Sequence, residues 1–390
     1  MNIAGRVRPT GVALQQPDWD DRESVNRVRD TLAARPGLVA AAEVALLRSA
    51  LSAVAAGRAQ VVQAGDCAED FAECEAGYVA RKVGLLDVLA GTMRMATHRP
   101  VVRIGRIGGQ FAKPRSSPTE EVNGVVLPAF RGHMVNRPDP DAERRRPDPE
   151  RMLMGYDAAA TVSALLGWGG AARRLVDPPV WTSHEALLLD YEMPLLRQDE
   201  RTGATFLAST HLPWIGDRTR QVDGAHVELL AGVANPVGCK VGPSTTADEL
   251  LALAERLDPR REPGRLVLIA RMGAGLVTER LPRLVAAVRT AGHPVVWLCD
   301  PMHGNTTRTD EGLKTRYLTT VVAEIELFQR VLRAEGGVAG GLHLETTPDD
   351  VTECVVDESE DRHVGDKYTS YCDPRLNPEQ AITAVAAWTG

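Results

Sequence analysis

Six cysteines are dispersed through 390 residues without a CxxC pair, which excludes a disulfide framework and a zinc ribbon. Reduced thiols in a cytoplasmic protein are the expectation. No apolar run approaches the roughly 18 residues needed to cross a bilayer. The opening MNIAGRVRPTG has no apolar core of a secretory leader, so neither membrane insertion nor export is expected. A basic excess is also missing. The net charge is -7, which argues against a nucleic-acid partner while leaving local cations free to bind small anions. No internal repeat is visible, and no Gly-rich dinucleotide fingerprint follows the first strand candidate.

What is present is a recurrent apolar run that ends in an ionisable residue. The run from Pro294 to Asp300, PVVWLCD, is β-rich and reads as a strand buried on both faces. It delivers His303 into a loop with Gly304 and Asn305. Seven similar runs bring the strand candidates to eight, near positions 60, 100, 183, 206, 237, 267, 296 and 342. Helical spacing follows most of them, over about 75–97, 151–172, 219–234, from Thr245 or Thr246 as a cap, 281–291 and 316–334. This is the βα repeat of an α/β (β/α)8 TIM barrel; a doubly wound open sheet is the alternative. Residues 1–59 carry two helices, about 21–34 and 36–57, read as a helical extension packing on a barrel of residues 60–390. Residues 112–150, rich in Pro, Arg, Asp and Ser, read as an excursion over the barrel mouth.

Strand C-termini converge in a barrel, and here they sort into two chemistries. Cys67, His303, Glu345 and, in the tail, Asp373 offer a thiolate, an imidazole and two carboxylates. That set suits a divalent manganese, cobalt or zinc ion. Arg106, Lys113, Arg115, Arg218, Lys240 and Arg271 form a cationic set that calls for phosphorylated or carboxylated ligands. Lys240 and Arg271 sit in strand-like runs, where an unpaired charge is costly.

At these motifs the chain resembles the type II 3-deoxy-D-arabino-heptulosonate 7-phosphate (DAHP) synthases, most of all the short form of phenazine and related secondary pathways. The stretches that carry the resemblance include QAGDCAED, RIGRIGGQFAKPRS, WTSHEALLLDYE, STHLPWIGDRTRQVDGAH, NPVGCKVGPS, LIARMGA, DPMHGNT, GLHLETTPDDVTEC and YTSYCDPRLNP. The resemblance implies a (β/α)8 barrel that condenses phosphoenolpyruvate with erythrose 4-phosphate at the entrance to the shikimate pathway. It implies Cys67, His303, Glu345 and Asp373 as ligands of Mn2+ or Co2+, with Zn2+ as a further candidate. Arg106, Lys240 and Arg271 match phosphoenolpyruvate binders, and Arg218, with Asp217 beside it, lies close to both substrates. Lys113, Arg115 and Ser116 match the aldose phosphate region. A homodimer or larger homo-oligomer is implied.

Three positions depart from the family's usual pattern. Asp217 stands where Glu is usual, His133 where Asp is usual, and Gly109 where Ala is common. An aminated or otherwise altered aldose phosphate is therefore an alternative substrate. Two further alternatives are a metal-dependent aldolase that does not use phosphoenolpyruvate, and a non-catalytic scaffold for a downstream enzyme such as a chorismate mutase.

Overall fold

The computed structural model describes residues 9–122, 124–168 and 179–390. Eight parallel strands form its centre: β1 (Gln60–Gly65), β2 (Val101–Arg106), β3 (Val180–Glu185), β4 (Leu212–Ile215), β5 (Val237–Val241), β6 (Leu266–Ala270), β7 (Val296–Cys299) and β8 (Ala339–Glu345). They close into a barrel in the order β1-β8-β7-β6-β5-β4-β3-β2. Each strand thus neighbours its predecessor in sequence, and β8 returns to β1. The strands are apolar because a parallel barrel buries both of their faces; β5, β6 and β7 have no exposed residue.

Apart from the single turn Leu189–Glu192, the α-helices among the described residues are α1 (Arg22–Ala34), α2 (Ala41–Ala55), α3 (Ala76–Thr97), α4 (Arg151–Leu165), α5 (Ala225–Ala231), α6 (Ala247–Leu257), α7 (Val277–Thr290), α8 (Leu318–Ala334) and α9 (Pro378–Ala386). Local chemistry sets their starts. Asp21 accepts from the amides of Glu23 and Ser24 ahead of α1, and Thr246 accepts from Glu249 N ahead of α6. Asn377 and Gln380 form a reciprocal capping box on α9. The chain divides into two compact units, one of residues 1–44, 68–79 and 107–235, the other of residues 45–67, 80–106 and 236–390. No described helix is long and apolar enough to cross a membrane.

Several expected boundaries move. The strand expected near 206 is not a barrel strand there: Thr205–Leu207 pairs antiparallel with Leu196–Gln198, and the barrel strand is Leu212–Ile215. The Asn235 side chain separates the two. Its Oδ1 accepts from Leu207 N at 2.8 Å, and its Nδ2 donates to the carbonyls of Leu207 and Thr210 at 3.0 Å, so the backbone between them is satisfied without a ladder. The helix expected over 219–234 is confined to α5, with Gly224 as its N-cap. Gly167, at φ +81°, follows the end of α4; the rest of that expected helix, 169–172, lies outside the described residues. The 112–150 excursion contains a small antiparallel hairpin, Thr119–Val122 with Val125–Pro128.

Candidate metal and anion-binding site

Three neighbouring strands end level. Gly65 of β1 is in register with Glu345 of β8 and with Arg106 of β2. The approach is close: a Cβ on Gly65 would lie 2.5 Å from the Arg106 carbonyl oxygen, and the φ of +145° is one that side-chain-bearing residues rarely adopt. Arg106, buried, donates through Nη2 to Glu345 Oε1 at 3.0 Å, through Nε to the Asp66 carbonyl at 3.1 Å, and through Nη1 to His343 Nε2 at 2.8 Å.

Two residues past that level comes Cys67, which is buried. Ligand atoms of Cys67, Glu345 and Asp373 all lie within 4.8 Å of one another. Asp373 N donates to Cys67 Sγ at 3.3 Å, and Lys314 Nζ reaches Asp373 Oδ1 at 2.8 Å. His303 is not one of that trio but lies beside it, with Nε2 3.2 Å from Glu345 Oε1. The other nitrogen, Nδ1, lies 2.8 Å from Asp300 Oδ2. A carboxylate behind the ring fixes the imidazole and leaves Nε2 facing the cluster, an arrangement common to metal-bound histidines. One sulfur, one ring nitrogen and two carboxylates fit a divalent ion of intermediate softness.

Lys240 is buried in β5 and forms an ion pair with Asp300. Burial lowers its pKa, Asp300 opposes the shift, and the nearby Arg106 adds to it; the result is about 8. Burial alone would raise Asp300, but His303 and Lys240 outweigh it and hold the carboxyl well below its usual range. His343 is pushed well below the usual histidine range by burial, then by the charges of Lys240 and Arg106. Arg271 follows β6 directly, half-buried, with Nη2 3.4 Å from the His303 carbonyl. Seven of the expected residues are therefore gathered in one compact unit: Cys67, Arg106, Lys240, Arg271, His303, Glu345 and Asp373.

The other five belong to the other unit. Lys113 is half-buried and its amide donates to the Arg131 carbonyl at 2.9 Å. The guanidinium of Arg115 pairs with Glu120, which also binds Arg145. Ser116 and Arg218 are exposed, and Asp217 Oδ1 accepts from Arg220 Nε at 3.0 Å.

The sequence profile of the class-II DAHP synthetase family matches residues 7–172 and 166–387. The chain belongs to that family. It is 55% identical over 378 residues to a probable phospho-2-dehydro-3-deoxyheptonate aldolase of Pseudomonas fluorescens, covering 96% of this chain and 94% of the relative. A phospho-2-dehydro-3-deoxyheptonate aldolase of Streptomyces coelicolor is 42% identical over 420 residues, covering 95% and 93%. Among solved structures, a phospho-2-dehydro-3-deoxyheptonate aldolase of Francisella tularensis aligns with a TM-score of 0.53 over 95% of this chain and 99% of that one. At 11% identity, that likeness speaks for the fold alone.

In this class-II DAHP synthetase the unusual glycine has a steric cause. A Cβ on Gly109 would lie 2.2 Å from His184 Nδ1. His184 cannot easily give way, because its Nε2 is 2.7 Å from Glu192 Oε1, and Ser209 Oγ donates to Glu192 Oε2 at 2.6 Å. His133 is buried between Phe71 and Phe130, with ring centroids at 5.6 and 5.2 Å. Its Nε2 is 3.5 Å from Asp70, and burial, the largest influence, lowers its pKa.

Sequence reasoning passes over several buried groups with long-range partners in this class-II DAHP synthetase. Asp300 reads only as a strand terminator, though its place three residues before His303 is a usable signal. Arg316 is fully buried and donates to Glu345 Oε2 at 2.8 Å; nothing in KTRY announces it. Glu69 accepts from the amides of Gly108, Gly109 and Gln110 at 2.8, 2.9 and 2.8 Å and so shapes the RIGGQ loop.

Proposed function

We propose that the chain is a 3-deoxy-7-phosphoheptulonate synthase acting at the first step of the shikimate pathway. C3 of phosphoenolpyruvate bonds to the aldehyde carbon of erythrose 4-phosphate, a water oxygen adds at C2, and phosphate leaves. The carrying observation is the donor set of Cys67, Glu345 and Asp373 within 4.8 Å, with His303 3.2 Å from Glu345, beside the cations Arg106 and Lys240.

A manganese or cobalt ion held by Cys67, His303, Glu345 and Asp373 would draw electron density from the aldehyde oxygen. The chain's own residues supply charge and position. Arg106, Lys240 and Arg271 neutralise the phosphate and carboxylate of phosphoenolpyruvate, an electrostatic contribution present before the reaction begins. Lys240, with a pKa of about 8, keeps its proton at neutral pH because Asp300 offsets burial. Arg218, with Asp217, serves the region where the two substrates meet, and Lys113, Arg115 and Ser116 hold the aldose phosphate. Residues 1–59 serve as a helical extension to the barrel. The enzyme works in the cytoplasm as a homodimer or larger assembly and feeds secondary metabolism.

The test is phosphate release by purified protein with phosphoenolpyruvate and a panel of four-carbon aldoses. Erythrose 4-phosphate should give release that prolonged chelation abolishes and Mn2+ or Co2+ restores. His303→Ala should lose the metal outright, since one of four ligands is gone. No release with any aldose, or full activity of the chelated protein, would overturn the reading.

A further inference from the structure

Asp373 is delivered by a tail segment with no regular secondary structure, Thr369–Arg375. A ligand on such a segment is useful only if something fixes its backbone. One carboxylate does so. Glu353, fully buried, receives six hydrogen bonds from this segment. Its Oε1 accepts from Thr369 N at 3.0 Å, Thr369 Oγ1 at 3.2 Å, Ser370 N at 2.8 Å and Arg375 Nη2 at 2.8 Å. Its Oε2 accepts from Arg375 N at 2.8 Å and Arg375 Nε at 3.1 Å. Both flanks of Asp373 are thereby pinned, four residues before it and two after.

The same device reaches the Cys67 side. Arg375 Nη1 donates to Asp66 Oδ1 at 2.7 Å, and Asp66 immediately precedes Cys67. Asp66 Oδ2 is held in turn by Lys82 Nζ at 2.6 Å, both groups being buried. A chain of charge-assisted bonds therefore runs from the tail, through Glu353 and Arg375, to the end of β1. One end adjoins Cys67 and the other flanks Asp373.

We propose that Glu353 is a positioning residue for the metal: through Arg375 and Asp66 it sets the separation of Cys67 and Asp373. The inference rests on the functional reading above. Neither Glu353 nor Arg375 reaches the donor atoms, so their effect passes entirely through backbone placement. Groups bonded directly to metal ligands change metal affinity about 10- to 100-fold when removed, and a group one step further out is expected near the lower end of that range.

The experiment titrates Mn2+ and Co2+ into metal-free parent, Glu353→Gln and Thr369→Val proteins. Mn2+ is followed by its paramagnetic resonance signal and Co2+ by its thiolate charge-transfer band, with denaturant midpoints measured beside them. Gln keeps the size of Glu353 but replaces an acceptor oxygen by a donor. Thr369→Val removes one hydroxyl at an exposed position and should fold normally. The expected result is a dissociation constant raised about tenfold or more in Glu353→Gln and several-fold in Thr369→Val, with the charge-transfer band recovered at saturating Co2+. A lowered denaturant midpoint with parent-like dissociation constants in Glu353→Gln would mean a merely structural role and overturn the proposal. If Glu353→Gln does not fold, parent-like constants in Thr369→Val overturn it. A parent protein that binds neither ion overturns the functional reading and this proposal together.

Discussion

Asp300 grips His303 by its inner nitrogen: Oδ1 and Oδ2 lie 3.0 and 2.8 Å from Nδ1. The same carboxylate also pairs with Lys240. A single acidic group thus aims a proposed metal ligand and supports the charge of a proposed substrate cation.

Asp300→Asn should disturb both tasks at once. Metal affinity should fall about 10- to 100-fold as the ring loses its carboxylate partner. Lys240, buried without its counter-charge, should release its proton at lower pH. Breaking a buried pair typically costs about 3–5 kcal/mol, so denaturant unfolding should show a clear loss. Unchanged stability together with unchanged Mn2+ affinity would refute the double role.

The two cationic groups should separate kinetically. Lys240→Ala or Arg271→Ala should weaken phosphoenolpyruvate, since a hydrogen bond to a charged group is typically worth about 1.5–3 kcal/mol. Lys113→Ala should chiefly raise KM for the aldose phosphate. Initial-rate titrations of each substrate decide it; a Lys113→Ala defect confined to phosphoenolpyruvate would show the assignment to be wrong.

Gly109→Ala should be destabilising although alanine is common in the family at this place. The added methyl meets His184 Nδ1 at 2.2 Å, and overpacking of this kind costs about 1–3 kcal/mol. Thermal unfolding of the variant checks it. A parent-like midpoint would mean that His184 can move away despite its bond to Glu192.

Glu324 should give the stability curve a pH dependence. It lies on α8 and accepts from the amides of Met272 and Gly273 at 3.1 and 2.9 Å and from Asn305 Nδ2 at 2.6 Å. Burial dominates and raises its pKa from 4.5 to about 8. The folded state therefore holds a proton that the unfolded chain releases above 4.5. The associated stability is fully present below that pH and is lost as pH rises towards 8, with an upper range of a few kcal/mol, roughly. Glu324→Gln should flatten the fall in unfolding free energy between pH 5 and 8. An equally steep fall in the variant would remove Glu324 as its source.

The eightfold strand count is legible in the sequence because every barrel strand is an apolar run closed by a break, and Lys240 is visible as a polar residue on such a run, Cys67 and His303 as residues just past one. The fourth strand is misplaced because ATFLASTHLPWIG holds two apolar runs, and the group that parts them, Asn235, is 28 residues from Leu207. Glu353, Arg316 and Arg375 are not legible at all. Their meaning lies in partners far along the chain, such as the 309 residues between Asp66 and Arg375, and local pattern carries no trace of such distances. Asp300 lies in between, readable as a stop signal while the role of its side chain is not.

The seam where β8 returns to β1 also fixes an order of events during synthesis. Arg106 and Glu345 are separated by 239 residues, and ribosomes add about 5–20 residues per second. On the order of ten to fifty seconds therefore passes between making the cation and making its acid. Through that interval β1 has a free edge, Arg106 must stay hydrated because Glu345 does not yet exist, and Asp66 has Lys82 but not yet Arg375. The barrel's most highly charged interior is thus the part that a growing chain completes last.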